Sequence, residues 1–357
     1  PYLRHVDATD QSILVSRLPE TFARWFAARG WAPRAHQLEL LRRAQDGRST
    51  LLIAPTGAGK TLAGFLPTLV ELSAPRAKSA NRQVVEKARG LHTLYISPLK
   101  ALAVDIARNL ERPVADMNLP IRVETRTGDT PTSRRQRQRR YPPDIMLTTP
   151  EQLALLLSSD DAPYMFSSLK RIVLDELHAL VTSKRGDLLS LGLARLWQLA
   201  PQVTTTGLSA TVAEPDDLRR YLVPQRAGTV EMADLVIADA GATPIVEMLD
   251  TRERLPWAGH MARHALGEIY DLIKRNKTSL IFVNTRAQAE MLFQDLWRIN
   301  DDSLAIALHH GSLDVAQRRK VEDAMAAGRL RGVVCTSSLD LGIDWGDIDL
   351  VINVGAP

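Results

Sequence analysis

Eight residues near the start of the chain, Ala-Pro-Thr-Gly-Ala-Gly-Lys-Thr at positions 54–61, follow an order typical of a phosphate-binding loop. The apolar run Leu-Leu-Ile at 51–53 precedes them, so the pattern predicts a strand that turns through a glycine-rich loop into a helix. Such a loop presents backbone N–H groups and a helix N-terminus to an anion. The predicted phosphate-binding residues are Thr56, Gly57, Ala58, Gly59, Lys60 and Thr61.

Two acidic residues are expected to complete this site. Asp175 and Glu176 follow a second apolar run at 171–174, where a buried strand would carry both carboxyl groups to the same edge of a sheet. We expect Asp175 and the Thr61 hydroxyl to hold Mg²⁺, and Glu176 to polarise the attacking water. Lys60 would reach the β- and γ-phosphates. A lone glycine-rich octet can be a chance turn, but the strand context and the acidic pair favour a site for ATP and Mg²⁺ with Lys60, Asp175 and Glu176 as its catalytic residues.

The composition is that of a folded, moderately basic protein. The 357 residues are 45% hydrophobic and carry a formal net charge of +4, which suits nucleic acid without requiring it. No apolar stretch approaches the roughly 18 residues of a membrane span, so no membrane partner is expected. Cys335 is the single cysteine, which excludes an internal disulfide and suggests a cytoplasmic location. We expect Cys335 to be a buried strand residue.

Apolar, β-branched runs alternate with stretches of helical spacing along the whole chain. This alternation predicts an α/β fold with a mostly parallel sheet covered on both faces, and ligands at the carboxyl ends of its strands. A second block repeats the scheme from residue 278 but has no phosphate octet. Pro224 and Gly228 bracket a polar turn, so we expect a first domain over 1–224 and a second over 225–357. Helical patterns around Trp25, Trp197 and Trp297 predict that these rings pack in the core.

Further short segments occur in a fixed order, at 97–102, 127–129, 149–153, 209–211, 281–286, 310–312 and 336–344. With the octet and the acidic pair, this series resembles the superfamily 2 helicases of the DEAD/DEAH-like type. The segments Asp-Glu-Leu-His at 175–178, Lys-Arg-Gly at 184–186 and His-His-Gly-Ser-Leu at 309–313 are most similar to Lhr (large helicase-related) proteins. The bacterial DExH-box branch associated with ATP-dependent DNA ligase is the nearest match, although RecQ-like proteins share the general scheme. The resemblance implies two RecA-like, doubly wound parallel-sheet domains of the P-loop NTPase kind, the second incomplete at its C-terminus.

The resemblance also implies roles for residues that the pattern alone would leave unassigned. Gln37 would read the adenine of ATP, although by itself it could simply begin a surface helix. Gly342 and Asp344 would face the nucleotide, Asp344 at the ribose. His178, Ser209, Ala210 and Thr211 would couple hydrolysis to movement. Contacts to a nucleic-acid backbone would come from Pro98, Lys100, Thr127, Gly128, Thr149, Pro150, Asn284, Thr285, Arg286, His310, Gly311, Thr336 and Ser337.

The run Ser-Arg-Arg-Gln-Arg-Gln-Arg-Arg at 133–140 is a dense basic cluster. A solvated helix face and a contact to the nucleic-acid backbone are about equally supported by the sequence, because charge runs are common on exposed helices but this one follows 127–129 directly.

The resemblance implies an ATP-dependent 3′-to-5′ DNA helicase or translocase that acts in DNA repair. Its expected partners are single-stranded DNA or a tailed duplex, with a DNA ligase or nuclease by family inference. Alternatives are an RNA or RNA–DNA hybrid helicase, and a nucleotide-gated clamp that grips without unwinding. The family's Gln-x-x-Gly-Arg-x-Gly-Arg arginine-finger segment does not occur in this sequence, so weak ATP turnover is expected of these 357 residues.

Overall fold

Short apolar segments form the predicted strands, and the first seven build one parallel sheet. The computed structural model describes residues 18–55, 57–74, 90–210, 212–239, 245–249, 251, 262–336 and 348–355. The strands of the first sheet are β1 (Thr50–Ile53), β2 (Thr93–Ile96), β3 (Val123–Arg126), β4 (Ile145–Thr148), β5 (Arg171–Leu174), β6 (Thr204–Ser209) and β7 (Asp234–Ile237). Their order is β3-β4-β2-β5-β6-β1-β7, with every pair parallel.

Helices cover both faces of this sheet because its strands are apolar on both sides. They are α1 (Glu20–Ala28), α2 (Ala35–Gln45), α3 (Lys60–Ser73), α4 (Lys100–Asp116), α5 (Thr132–Arg140), α6 (Pro150–Leu157), α7 (Ala162–Phe166), α8 (Leu177–Val181), α9 (Lys184–Leu199) and α10 (Pro215–Tyr221). Leu174 of β5 packs in a core cluster with Leu189 and Leu193 of α9. On α3, Gly64 is so close to Val173 of β5 that a Cβ there would lie 3.1 Å from its side chain.

The chain divides into two units, Pro1–Thr243 and Pro244–Pro357. The first unit therefore extends beyond the expected join at 224 and 225. The reason is β7, which lies after that turn and pairs in parallel with β1 along its full length.

The second unit has a four-stranded parallel sheet in the order β11-β8-β10-β9. Its elements are a 3₁₀ turn (Arg263–Ala265), α11 (Leu266–Arg275), β8 (Ser279–Val283), α12 (Arg286–Arg298), β9 (Ile306–His309), α13 (Val315–Ala326), β10 (Gly332–Cys335) and β11 (Leu350–Val354). Apolar clusters lie on both faces of this sheet, one around Ile281 and Val334 and the other around Leu280 and Val333. The expected α/β fold with two parallel-sheet units is confirmed.

Cys335 is fully buried in β10, as predicted. Trp25 is buried as well, but the prediction for Trp297 is wrong, because 58% of this residue is exposed on α12. Among the residues that the structure describes, no helix combines the length and the apolarity that crossing a membrane would require.

Candidate nucleotide and nucleic-acid site

The glycine-rich loop lies between the end of β1 and the first residue of α3. Gly57 and Gly59 have φ angles of 76° and 74°, in the left-handed region that glycine adopts without strain. A Cβ at Gly59 would also lie 2.9 Å from the amide nitrogen of Gln37. Lys60 begins α3, and its Nζ donates to the Ala54 carbonyl at 3.1 Å. The loop therefore folds back over the carboxyl end of β1, and both the N-terminus of α3 and the Lys60 side chain lie next to that strand end.

Three side chains at the start of α2 hold successive carbonyl groups of this loop. The Arg34 guanidinium donates to the Gly57 carbonyl at 3.0 Å, and His36 Nε2 lies 2.9 Å from the Ala58 carbonyl. The Gln37 amide donates to the Gly59 carbonyl at 3.4 Å. In a trans peptide group the N–H points away from the C=O. Since the carbonyls of Ala58 and Gly59 point towards α2, the N–H groups of Gly59 and Lys60 in the same peptide groups point away from α2. This is the orientation in which a loop presents N–H groups to phosphate.

The hydrogen bonds of Arg34 and His36 to the loop were not predicted, since a basic or aromatic side chain in the first turn of a helix has no distinctive sequence pattern. Gln37 is buried, with 4% of its surface exposed, and its side-chain oxygen accepts from the Arg34 backbone N–H. Reading of adenine by Gln37 stays a prediction.

Asp175 follows β5 directly, and both of its carboxylate oxygens are hydrogen-bonded. One accepts from the Glu176 backbone N–H at 3.0 Å, and the other accepts from the hydroxyl of Tyr95 on β2. Burial raises the pKa of the Asp175 carboxyl to about 6, with the charge of Glu176 adding to the shift and the Tyr95 hydrogen bond opposing it. Burial also raises the pKa of Tyr95 well above its usual value, so the phenol remains the donor.

The donor set suits Mg²⁺, which prefers hard oxygen ligands and keeps several waters and phosphate oxygens in its coordination shell. Asp175 offers a buried carboxylate, and Thr61 is the second residue of α3. Within the described residues, no three His, Cys, Asp or Glu side chains gather as a metal cluster. A single carboxylate and a hydroxyl beside a triphosphate are nonetheless sufficient for this ion.

Glu176 and His178 connect the acidic pair to the end of β6. Glu176 has a φ of 46°, which is unusual for a residue with a side chain, and it precedes the first residue of α8. His178 Nε2 lies 3.5 Å from a Glu176 carboxylate oxygen, and His178 Nδ1 lies 3.1 Å from the Ser209 hydroxyl. Burial, with the charge of Lys60 adding to it, lowers the pKa of His178, so the imidazole is neutral near pH 7. The structure therefore brings His178 and Ser209 together, as coupling between them requires.

The predicted nucleic-acid residues of the first unit follow three strands that are neighbours in the sheet. Pro98 and Lys100 follow β2, Thr127 and Gly128 follow β3, and Thr149 with Pro150 follows β4. Because β3, β4 and β2 are adjacent and parallel, their carboxyl ends share one edge. Lys100 Nζ lies 2.8 Å from a carboxylate oxygen of Asp129, which joins two of the three loops.

The basic cluster forms α5, and its arginines differ in their hydrogen-bond partners. Arg135 donates to the carbonyls of Thr127 at 3.2 Å, Gly128 at 2.7 Å and Thr130 at 2.7 Å, so it fixes the loop after β3. Arg137 donates to Glu124 at 2.9 Å and keeps 54% of its side chain exposed. The sequence did not single out Arg135, because nothing in a run of arginines shows which one turns back onto the preceding loop.

In the second unit, the predicted contacts again follow adjacent strands. Asn284, Thr285 and Arg286 come after β8, His310 and Gly311 after β9, and Thr336 after β10. Thr285 caps α12, its hydroxyl accepting from the Gln288 N–H at 3.2 Å. His310 is only 1% exposed, with Nε2 located 3.2 Å from a Glu290 oxygen, so its ring is turned inward. The predictions for Thr56, Thr211, Ser337, Gly342 and Asp344 fall outside the described residues.

A glycine-rich loop between a strand and a helix, with an acidic pair at the end of a nearby parallel strand, defines a P-loop nucleotide-binding protein. Residues 34–218 match the DEAD/DEAH box helicase model, and residues 262–357 match the helicase conserved C-terminal domain. The chain belongs to the DEAD/DEAH box helicase family, and the predicted resemblance to Lhr proteins is confirmed by its relatives.

Two of these relatives are each 36% identical to this chain. The Lhr helicase/probable uracil glycosylase of Mycolicibacterium smegmatis matches over 93% of this chain and 24% of its own length. The ATP-dependent helicase Lhr-Core of Methanothermobacter thermautotrophicus matches over 97% of this chain and 41% of its own. The solved structure of Mycobacterium smegmatis helicase Lhr bound to ssDNA and AMP-PNP aligns with a TM-score of 0.76 at 37% identity, covering 96% of this chain and 45% of that one. The chain thus spans less than half the length of these relatives.

Proposed function

We propose that this chain is the motor part of an Lhr-type, ATP-dependent 3′-to-5′ DNA helicase that acts in DNA repair. The observation that carries the proposal is the connection from the phosphate loop to Ser209. Lys60 follows β1, Ser209 ends β6 and the Asp175–Glu176 pair follows β5, and these three strands are neighbours in the first sheet. The Ala54 N–H donates to the Ser209 carbonyl at 3.1 Å, and His178 Nδ1 lies 3.1 Å from the Ser209 hydroxyl.

Each group has a role in hydrolysis that follows from its place. The loop N–H groups and Lys60 bind the phosphates of ATP, and Thr61 and Asp175 hold Mg²⁺. When bound, Mg²⁺ neutralises charge on the β- and γ-phosphate oxygens. Glu176 orients a water toward the γ-phosphate. His178 contacts both Glu176 and the Ser209 hydroxyl at the carboxyl end of β6, so that a displacement of Glu176 during hydrolysis moves the imidazole and shifts Ser209.

Single-stranded DNA is the proposed track, bound by the loops after β2, β3, β4 and their counterparts in the second unit. Hydroxyls, amides and backbone N–H groups at these positions suit phosphate contacts, which fix register without reading bases. A translocase needs this indifference to sequence. The similar Mycobacterium smegmatis protein was solved with ssDNA and an ATP analogue, which supports this choice of ligand.

The test measures ATP hydrolysis and unwinding by the protein in its natural length, on duplexes with a 3′ or a 5′ tail. We expect hydrolysis that single-stranded DNA stimulates, and unwinding only from the 3′ tail. Lys60→Ala should abolish both activities, with Lys170→Ala, an exposed lysine outside the loop and the other segments, as a matched control. Unwinding from a 5′ tail would contradict the polarity. RNA and RNA–DNA duplexes of the same sequence test the second candidate, an RNA or hybrid helicase, because phosphate contacts do not identify the sugar.

The same proposal includes a cytoplasmic location and a DNA-repair partner. A lone, buried Cys335 suits a reducing cytoplasm, and the family resemblance suggests a DNA ligase or nuclease as partner. Co-purification of the natural-length protein with its DNA-repair partners would test that association.

A further inference from the structure

One buried hydroxyl outside the predicted motifs contacts the carboxylate of Asp175, which is proposed to hold Mg²⁺. Tyr95 lies on β2 and is completely buried. Its ring stacks on Phe65 of α3, with centroids 5.1 Å apart and planes at 22°. Its hydroxyl donates to Asp175, which follows β5.

The sheet explains how Tyr95 reaches this carboxylate. β2 and β5 are adjacent and in parallel register, with Tyr95 opposite Val173 and the Asp175 N–H bonded to the Ile96 carbonyl at 2.9 Å. Val173 faces α3, as its contact with Gly64 shows. Residues two apart in a strand share a face, so Asp175 also lies on the α3 side, within reach of the phenol.

We propose that Tyr95 is a positioning residue that holds the Asp175 carboxylate in the orientation that binds Mg²⁺. The Glu176 backbone N–H restrains one oxygen, and the Tyr95 hydroxyl restrains the other. The stack on Phe65 ties this restraint to α3, the helix that begins with Lys60 and Thr61. Tyr95 thereby fixes the position of the Asp175 carboxylate relative to Thr61, the other proposed Mg²⁺ ligand. This inference depends on the proposed ATP–Mg²⁺ site.

The test is Tyr95→Phe, which removes the hydroxyl and keeps the ring that stacks on Phe65. The readout is the affinity for a fluorescent ATP analogue at increasing Mg²⁺ concentration, and again in EDTA. Loss of an outer-shell partner typically weakens metal binding about 10- to 100-fold. We therefore expect the Mg²⁺ concentration for half-maximal enhancement of binding to rise at least about 10-fold, with unchanged affinity in EDTA.

The matched control is Tyr221→Phe, which removes another inward hydroxyl of the same unit, one that donates to the Gly186 carbonyl at 2.6 Å. This variant should keep the wild-type Mg²⁺ dependence. In an Asp175→Asn background, Tyr95→Phe should add no further change if it acts through Asp175. Should Tyr95→Phe fail to fold, Phe65→Leu, which removes the stack but keeps the hydroxyl, should raise the Mg²⁺ requirement in the same direction.

An unchanged Mg²⁺ requirement in a folded Tyr95→Phe, or in Phe65→Leu where the first does not fold, would overturn the inference. Lys60→Ala separates this failure from a failure of the proposed site. If Lys60→Ala removes analogue binding but Tyr95→Phe changes nothing, only the role of Tyr95 is wrong. If Lys60→Ala binds like the wild type, the proposed ATP site itself is wrong.

Discussion

His178 Nδ1 lies 3.1 Å from the hydroxyl oxygen of Ser209, which joins the segment after β5 to the end of β6. The other ring nitrogen of His178 lies 3.5 Å from Glu176. One neutral imidazole therefore contacts the proposed catalytic carboxylate and the proposed coupling segment at the same time. This arrangement is the geometric basis of the proposed coupling between hydrolysis and movement.

Replacing that imidazole should separate the two activities. For His178→Ala we expect unwinding to fall about 10-fold, the size of a lost hydrogen bond of roughly 1.4 kcal/mol. DNA-stimulated ATP hydrolysis should fall much less, because the phosphate loop, Asp175 and Glu176 remain. Unwinding and hydrolysis are measured on the same 3′-tailed duplex. Ser209→Ala should give the same phenotype, and the double variant should be no worse than either single one. Equal losses in both activities would contradict a coupling role.

Gln37→Ala tests adenine recognition against support of the loop. Both Gln37 and His36 hold loop carbonyls, so alanine at either position should weaken ATP and GTP binding. Only Gln37→Ala should reduce the preference for ATP over GTP, while His36→Ala should leave the ratio unchanged. Competition of both nucleotides with a fluorescent analogue gives this ratio. A Gln37→Ala variant with the wild-type preference would leave Gln37 a purely structural residue.

Arg137 and Arg139 test whether α5 contacts the nucleic-acid backbone. Their side chains are 54% and 44% exposed, so they can reach a phosphate. Replacing both with Gln should lower the salt dependence of single-strand binding by roughly 0.7 in log–log slope per lost phosphate contact. The control combines Arg24→Gln on α1 with Arg195→Gln on α9, which is the same loss of two exposed positive charges on other helices. A slope equal to that of the wild type would assign α5 to a solvated surface.

Arg135 should behave differently from its neighbours, because it donates to three carbonyls of the loop after β3. Arg135→Ala frees that loop but removes no predicted phosphate contact. We expect single-strand affinity to fall about 10-fold, in keeping with charge-assisted hydrogen bonds of 1.5–3 kcal/mol, with an unchanged salt slope. Titration of labelled single-stranded DNA at several salt concentrations measures both quantities. A flatter slope would show instead that Arg135 itself binds phosphate.

Glu71 predicts a pH-dependent contribution to stability. Burial disfavours its charge, but hydrogen bonds from His92 and Arg171 outweigh burial and lower its pKa from 4.5 to about 2. A carboxyl with a lowered folded-state pKa stabilises the fold above its unfolded value and loses this effect as the pH falls through the folded value. Above pH 4.5 the wild type should exceed Glu71→Gln in unfolding free energy by a constant amount, and this difference should become smaller as the pH falls towards 2.

Urea unfolding of both proteins across this range measures that difference. Glu20→Gln is the control, because the Glu20 side chain is 85% exposed and pairs with Arg24 only at 3.6 Å. A Glu71 difference that is independent of pH would contradict the ionic account.

Much of the site follows from order along the chain. A glycine-rich octet directly after an apolar strand places Lys60 at a helix start, and acidic residues directly after another strand place Asp175 at a sheet edge. These are local relationships, since a strand, its following loop and the next helix are continuous in sequence. The same reasoning applied to the loops after β2, β3 and β4, because parallel strands direct their carboxyl ends to one edge.

Other relationships depended on which strands became neighbours. Tyr95 and Asp175 lie 80 positions apart and meet because β2 pairs with β5. β7 joins β1 after the turn where the domain was expected to end, since strand pairing is set by long-range packing rather than by the nearest loop. Arg135 turns back to the preceding loop by hydrogen bonds that a basic run does not reveal. The amino-acid sequence alone thus determined which residues are expected to carry the chemistry. The tertiary structure decided which neighbours hold those residues, because distant side chains meet only once the order of the strands in the sheet is set.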